Sequence, residues 1–361
     1  MRPCERGDMR AVAELYAKAF HKTSMASSTG LPIYLGELHL DNPWYDPENP
    51  PLVAESTGQR IVGFIGTVPM PMRMCGRPIR SVVGGNFMVD REHSDPLVAA
   101  RLLKTFLSAP HDIALTDTAS QVAIRMWQGF GGELAQYQSM RWVLPLKPLS
   151  LGVSFAGRSR VARVASAGAP VARAIDRLVT RRRRTRSGEV GAPTVRPADA
   201  TLVHDFVSQL DDSSRLQFAG TSEEFGWLAA MASRKTQFGP LRTIAVHGTH
   251  ADTIGVVMYY PNRRGLGQVA LAAATAGNHA SMLSALRQDA IEQGSAGLMG
   301  QADRQLAFAL SNLPSVYVFR NDFVMLHARE AGLIAPLRTG EVALGRLSGE
   351  WWTRTQGDSF D

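Results

Sequence analysis

The chain has 361 residues, of which 45% are hydrophobic and 20% charged. That size and balance suit two domains with buried cores, and they exclude a disordered, collagen-like or fibrous protein. Two cysteines, Cys4 and Cys75, exclude a disulfide-built scaffold and a thiolate zinc site and fit a reducing compartment. No apolar run in the sequence reaches the roughly 18 residues that a membrane span needs. The charged start MRPCERGDMR has no signal-peptide core, so the expectation is a soluble cytoplasmic protein.

The net charge of +7 is local. Residues 151–192 hold ten arginines against two acids, +8, which leaves −1 for the rest. A protein that grips duplex phosphates spreads its cations over a folded face, so specific nucleic-acid binding is not expected. Val161, Val164, Val171, Ile175, Leu178 and Val179 recur at helical spacing within the segment, with arginines between them. This reads as a basic linker with an amphipathic helix. It is either a packed helix with solvated arginines or a dock for an anionic surface or an acidic carrier protein.

In chain order, residues 2–16 give an extended Arg-Pro lead-in, Asp8 and a helical run. Leu52–Glu55 and Ile61–Val68 form a hairpin pattern. Met72–Met74 and Ile79–Val83 flank a second tight turn, and Gly84–Val89 continues as a strand with a glycine-permitted distortion. Leu97–Leu107 is helical, Asp112–Thr116 a short strand, Ser120–Phe130 a helix ended by Gly131-Gly132, and Gln138–Leu144 a final strand. After the linker the chain starts again: Arg196-Pro197, Asp199, then Leu202, Val203, Phe206 and Val207 repeat the opening pattern, which suggests two copies of one fold.

This order, carried by Pro51-Leu-Val-Ala-Glu55, Arg60-Ile-Val-Gly-Phe-Ile-Gly66, Phe87-Met-Val-Asp-Arg-Glu-His93 and Ala123–Gly132, resembles the GNAT (N-acetyltransferase) superfamily. The resemblance implies an α/β (α+β) chain with two GNAT-like domains, each a mixed, mostly antiparallel sheet flanked by helices. The expected division is 1–150 for the first domain, 151–192 for the basic linker and 193–361 for a second, degenerate domain. It also implies an acyltransferase that uses acetyl-CoA or another acyl-CoA, with no metal, on the amine or hydroxyl of a small-molecule acceptor. A non-catalytic GNAT-like scaffold and an enzyme fed by an acyl carrier protein are the alternatives.

On the resemblance, the cofactor-binding residues are Phe87, Met88 and Val89 on the fourth strand, Ser94, Leu97, Val98 and Ala99 in the phosphate loop, and Ser120 and Trp127 at the closing helix. The loop departs from the family pattern. Leu97 replaces a glycine, Asp95 adds a negative charge, and Pro96 lacks a donor. An indole at Trp127 cannot protonate a leaving thiolate, so Trp127 packs over pantetheine or in the core. Asp117, Asn86 and Glu55 are the catalytic candidates: Asp117 as base or helix cap, Asn86 as a substrate-orienting amide, Glu55 as a further carboxylate, with His93 beside them. Tyr34, Trp44 and Tyr45 either wall an acceptor site or sit on exposed loops. Gly265-Leu-Gly267-Gln-Val-Ala270 runs into a strand, not a helix, and is not a nucleotide fingerprint. His247 and His250 lack a third ligand for a metal. Trp351 and Trp352 cap the second core, form a chain–chain contact or line a pocket, with a docked tail the favoured reading.

Overall fold

The computed structural model describes residues 1–20, 28–90, 92–147, 193–210, 215–263, 265–319, 322–354 and 357–360. The basic segment 151–192 lies outside them. The elements run β1 (Arg2–Pro3), α1 (Met9–Ala19), α2 (Gly30–His39), β2 (Leu52–Glu55), β3 (Ile61–Met74), β4 (Arg77–Val89), α3 (Val98–Leu107), β5 (Ile113–Ala119), α4 (Gln121–Gly129), β6 (Glu133–Leu134), α5 (Gln136–Ser139) and β7 (Met140–Pro145). They continue as β8 (Thr194–Pro197), α6 (Ala200–Gln209), β9 (Arg215–Phe218), α7 (Ser222–Ser233), β10 (Arg242–His247), β11 (Thr253–Tyr260), β12 (Leu266–Ala274), α8 (His279–Glu292), β13 (Gly297–Gln301), α9 (Arg304–Ser311), β14 (Val316–Phe319), β15 (Phe323–Ala328), α10 (Ala331–Thr339) and β16 (Ala343–Leu344). Among the described residues, no helix is long and apolar enough to cross a membrane.

Two compact units form. The first contains Met1–Ser139, Asp212–Trp227 and Arg320–Asp361, and the second Met140–Asp211 and Leu228–Phe319. This differs from the expected sequential division at residues 150 and 193. The expected last strand of the first half, Gln138–Leu144, is the end of α5 followed by β7, and β7 pairs with β13 and β14 in the second sheet. The first sheet instead receives β15 from the C-terminal stretch, antiparallel to β5. A short apolar run shows that a segment is a buried strand, but both sheets offer a parallel pair with room for one antiparallel neighbour, so the run itself does not choose the partner.

In the first unit the sheet order is β1-β2-β3-β4-β5-β15-β6, with β9 on β3 and β16 on β9. β3 is buried over its first ten residues, as expected for an apolar run covered on both faces. The β3–β4 hairpin turns at Cys75 and Gly76, both at positive φ. α3 buries Val98, Leu102, Leu103, Phe106 and Leu107 on one face, against a core of Leu52, Ile65, Val82, Trp127 and Met325. The region between 28 and 50 is not loop: it holds α2, whose Tyr34 and His39 are buried. Trp44 is also buried, edge-on to Phe218 and Trp227, while Tyr45 is exposed.

The second unit's sheet order is β14-β7-β13-β12-β11-β10-β8. Its core gathers Ile244, Val257, Leu283, Leu286, Leu298 and Leu310 with Trp142 and Leu144 of β7. Asp199 caps α6 by accepting the Leu202 N–H at 2.8 Å, as its place in the repeated motif predicts. Asp8 acts differently: it accepts from Arg2 at 2.7 Å and from the Glu5 N–H at 2.8 Å. The Gly265–Ala270 stretch enters β12, in line with its reading as a turn and strand.

Candidate active site

β4 and β5 are parallel neighbours for only three rungs, Ser81–Val83 against Ile113–Leu115. Beyond Val83 and Leu115 the ladder stops, although both strands continue, to Val89 and Ala119. Backbone groups facing this splay lack a strand partner. On its β3 side, β4 is bulged: Phe64 pairs with Met88 and Gly66 with Gly85, so Asn86 and Phe87 oppose the single residue Ile65. Asn86 adopts φ +50°, the left-handed conformation that Asn tolerates better than other non-glycine residues.

A carboxylate from the distant tail occupies the splay. Glu350 Oε1 accepts the hydroxyls of Thr116 and Thr118 of β5, each at 2.5 Å. The same carboxylate lies against β4: a side chain at Gly85 would land on it, and the neighbouring Asn86 backbone N–H favours its ionised form. Burial, and secondarily the nearby Asp117 charge, push the Glu350 carboxyl up to about 7. Asp117 is fully buried and holds the tail: its Oδ1 accepts the backbone N–H of Glu350 at 2.8 Å and of Trp351 at 3.0 Å. A Cβ at Gly349 would land on the Asp117 carboxylate, so only glycine lets the tail approach so closely. Trp351 and Trp352 are buried here, in the first unit, with the Arg346 guanidinium 4.2 Å from the Trp351 ring centre. The tail docks on the first unit, not on the second core, and in doing so delivers a carboxylate.

Asn86 has its own support. Its Nδ2 lies 3.1 Å from His39 Nε2, and His39 Nδ1 lies 3.1 Å from the Thr67 carbonyl. A carbonyl only accepts, so Nδ1 carries the proton and Nε2 accepts from the Asn86 amide. Burial pushes the His39 imidazolium down to about 4, so the ring is neutral at physiological pH.

The other sequence candidates fall into place around this centre. Phe87 and Val89 are partly buried against the core and Met88, between them, is buried as well, all on the bulged segment of β4. Glu55 is not brought to the splay. It sits on β2, one strand from the sheet edge, and pairs with Arg2 at 2.7 Å. Trp127 is core, 6.0 Å from the Phe106 ring. Val98 is core as well. Ser120 caps α4, accepting the Ala123 N–H at 3.3 Å. His93 contacts Asp90 at 3.1 Å, in a group with Glu92, but Lys18 Nζ already stands 2.9 Å from Asp90 and 2.6 Å from Glu92.

At the phosphate loop, Leu97 is 54% exposed, so its side chain is not a core element despite its spacing. Asp95 Oδ1 accepts the Leu97 N–H at 2.8 Å and Asp95 O accepts the Val98 N–H at 2.9 Å. The N-terminus of α3 thus carries its own carboxylate at the place where a helix end favours an anion. Ser94 and Ala99 flank this turn, both half-buried. The residues present therefore fit a thioester arm between β4 and β5, but not a diphosphate in the loop.

The fold is similar to that of solved GCN5-related N-acetyltransferases. Similar solved structures include a GCN5-related N-acetyltransferase from Anabaena variabilis ATCC 29413, with 13% identity, 90% of this chain and 71% of that one covered, and a TM-score of 0.58. Another GCN5-related N-acetyltransferase, from Kribbella flavida, aligns at 13% identity over 91% and 71% with a TM-score of 0.55. Saccharomyces cerevisiae N-myristoyltransferase with bound myristoyl-CoA aligns at 12% identity over 90% and 76% with a TM-score of 0.50. No protein-family model and no curated protein matches the sequence.

Proposed function

We propose that this protein is an acyltransferase that moves an acyl group from a pantetheine thioester, carried as acyl-CoA, to the amine or hydroxyl of a small-molecule acceptor. The observation that carries this reading is the Glu350 carboxylate held at the splay of β4 and β5. It touches a backbone N–H on one strand and two hydroxyls on the other, and its proton affinity is raised toward neutrality. The pantetheine arm would add to the splayed strands by main-chain pairing. The Asn86 N–H would donate to the thioester carbonyl oxygen as charge builds on that oxygen. Glu350 would take the proton from the attacking amine or hydroxyl as the new bond to the carbonyl carbon forms and the carbon–sulfur bond breaks. Asp117 positions the base and is not the base itself. Trp127, buried in the core, takes no part in protonating the thiolate.

A second reading, a donor carried on an acyl carrier protein, is favoured by Asp95 in the turn that leads into α3. A carrier thioester presents pantetheine through a single phosphate and needs no diphosphate cradle. The basic segment 151–192, outside the described residues, is the proposed contact for such an acidic partner. A cytoplasmic location goes with either donor and with the two free thiols.

The test is thiol release from acetyl-CoA, longer acyl-CoAs and acetyl-pantetheine with a panel of amine and hydroxyl acceptors, alongside thermal shift with each donor. A ligand at 100 times its Kd stabilises by about 2.7 kcal/mol. Absence of both turnover and thermal shift with every donor would remove the proposal.

A further inference from the structure

The reaction as proposed depends on one backbone N–H, that of Asn86, pointing into the splay. A strand residue at φ +50° is not held by its ladder, because a bulge leaves it unpaired with β3. Something else must hold it. Asn is tolerated in the left-handed region but has freedom to leave it, and a bulge that relaxed to extended backbone would turn the N–H away from the carboxylate it now meets.

The Asn86 side chain is gripped by the last residue of α2. His39 is 1% exposed, its ring stands edge-on to Phe64 at 5.5 Å, and it lies over Gly66, where a Cβ would strike the ring. Gly66 and Phe64 flank Ile65, the residue opposite the bulge, so the imidazole packs against the strand segment that the bulge faces. One nitrogen donates to Thr67 and the other accepts from Asn86, which fixes the ring's tautomer and the direction of the Asn86 amide together. The burial of a polar ring costs stability unless both nitrogens are satisfied, and here both are.

We propose that His39 is a positioning residue for acyl transfer: by bridging the Thr67 carbonyl and the Asn86 side-chain amide at the β4 bulge, it keeps the Asn86 backbone N–H aimed at the thioester oxygen. This rests on the proposed acyl-transfer reading. His39 touches neither donor nor acceptor. Its neutral state persists well above its pKa of about 4, so the anchor holds across the working pH range and adds no limb to the rate profile.

The substitutions follow from the two bonds. His39→Gln has a carbonyl to accept from Asn86 and an amide to donate to Thr67, whereas His39→Leu has neither. Asn86→Gly adopts the left-handed backbone without a side-chain anchor. The expected result is that H39L lowers kcat about tenfold or more while the donor KM moves less than about threefold. H39Q recovers kcat to within about threefold of wild type, and H39L added to N86G changes kcat less than about threefold. Equal damage from H39L and H39Q, or an H39L penalty undiminished in the N86G background, overturns the proposal.

Hydrogen exchange of the Asn86 amide keeps the two ideas separable. That amide is expected to be protected in wild type and H39Q and to exchange about tenfold faster or more in H39L, whether or not a substrate is known. Wild-type protection retained in H39L overturns the anchor. Loss of all turnover in the wild-type protein, with the exchange pattern as expected, removes the acyl-transfer reading and leaves His39 as an anchor without a reaction, which also overturns its catalytic assignment.

Discussion

Replacing Glu350 by Gln is expected to make the protein more stable at pH 8 and to slow acyl transfer. Burial, and then the Asp117 charge, raise the Glu350 carboxyl from its ordinary 4.5 to about 7. The folded state therefore holds this proton over a range where the unfolded chain has released it. The unfolded state binds fewer protons between pH 4.5 and 7, so stability falls as pH rises through that window. Below 4.5 both states are protonated and nothing is lost. Above 7 both are ionised and the loss is complete. The window spans at most about 3 kcal/mol at 1.36 kcal/mol per pH unit of pKa difference.

Gln keeps an oxygen for the Thr116 and Thr118 hydroxyls but has no charge to bury. Urea unfolding of wild type, followed by tryptophan fluorescence, is expected to lose about 2–3 kcal/mol between pH 5 and 8 from this group. The E350Q variant is expected to lack that slope, to match wild type near pH 5, and to exceed it at pH 8. Its turnover is expected to fall about 10²–10⁴-fold, the usual range for loss of a general base. A wild-type pH–stability profile identical to that of E350Q would refute the reasoning, because Glu350 would then be no more costly to ionise in the fold than in the free chain.

Asp117→Asn keeps an acceptor for the Glu350 and Trp351 N–H groups and removes the neighbouring charge, so the acid limb of the pH–rate profile is expected to move to lower pH; an unmoved limb excludes the coupling. Asp95→Ser frees the end of α3 for an anion at a cost of about 1 kcal/mol or less in urea unfolding, and is expected to lower the KM for acyl-CoA but not for acyl-pantetheine. Leu97→Gly, by contrast, removes an exposed side chain and leaves Asp95 in place, so calorimetry is expected to show little change in CoA affinity and stability within about 1 kcal/mol. Trp127→Ala empties a core position and is expected to cost about 3–5 kcal/mol, whereas Trp127→Phe keeps turnover, since the indole moves no proton.

Much of the fold is legible in the sequence because it is local. The apolar runs at Leu52–Glu55 and Ile61–Val68, the tight turn at Cys75-Gly76 and the period of α3 each state their own structure within a dozen residues. Gly84-Gly85-Asn86 even marks the bulge, where positive φ is required. The exchange of β7 and β15 between sheets is not local: either strand is compatible with either sheet, and the choice is made by long-range packing. α2 was hidden by Gly30, Pro32 and Gly36, which read as loop, and so its buried His39 was hidden too. Leu97 shows the reverse error. It lies at helical spacing, but the helix starts one residue later and the burial stripe runs through Val98 and Leu102.

The least legible part is the chemistry, since Glu350 reaches Thr116 across 234 positions and nothing in Gly349-Glu350-Trp351 marks a base. What the structure adds is that the chain's own carboxylates fill two places, the N-terminal end of α3 and the splay of β4 and β5, and that they differ in kind. Asp95 accepts from a backbone N–H two residues away, a local bond that re-forms whenever α3 forms. Glu350 is brought by a tail, sits with a proton affinity near neutrality, and accepts at Oε1 from two hydroxyls that can turn to other acceptors. A thioester carbonyl competes with the second far more readily than a diphosphate competes with the first. Donor selection in this protein is therefore expected to follow the acyl-pantetheine arm, with the nucleotide of CoA contributing little. The ratio of kcat/KM for acetyl-CoA to that for acetyl-pantetheine measures this directly, and a ratio of a thousand or more would place the diphosphate contact back at the loop that Asp95 fills.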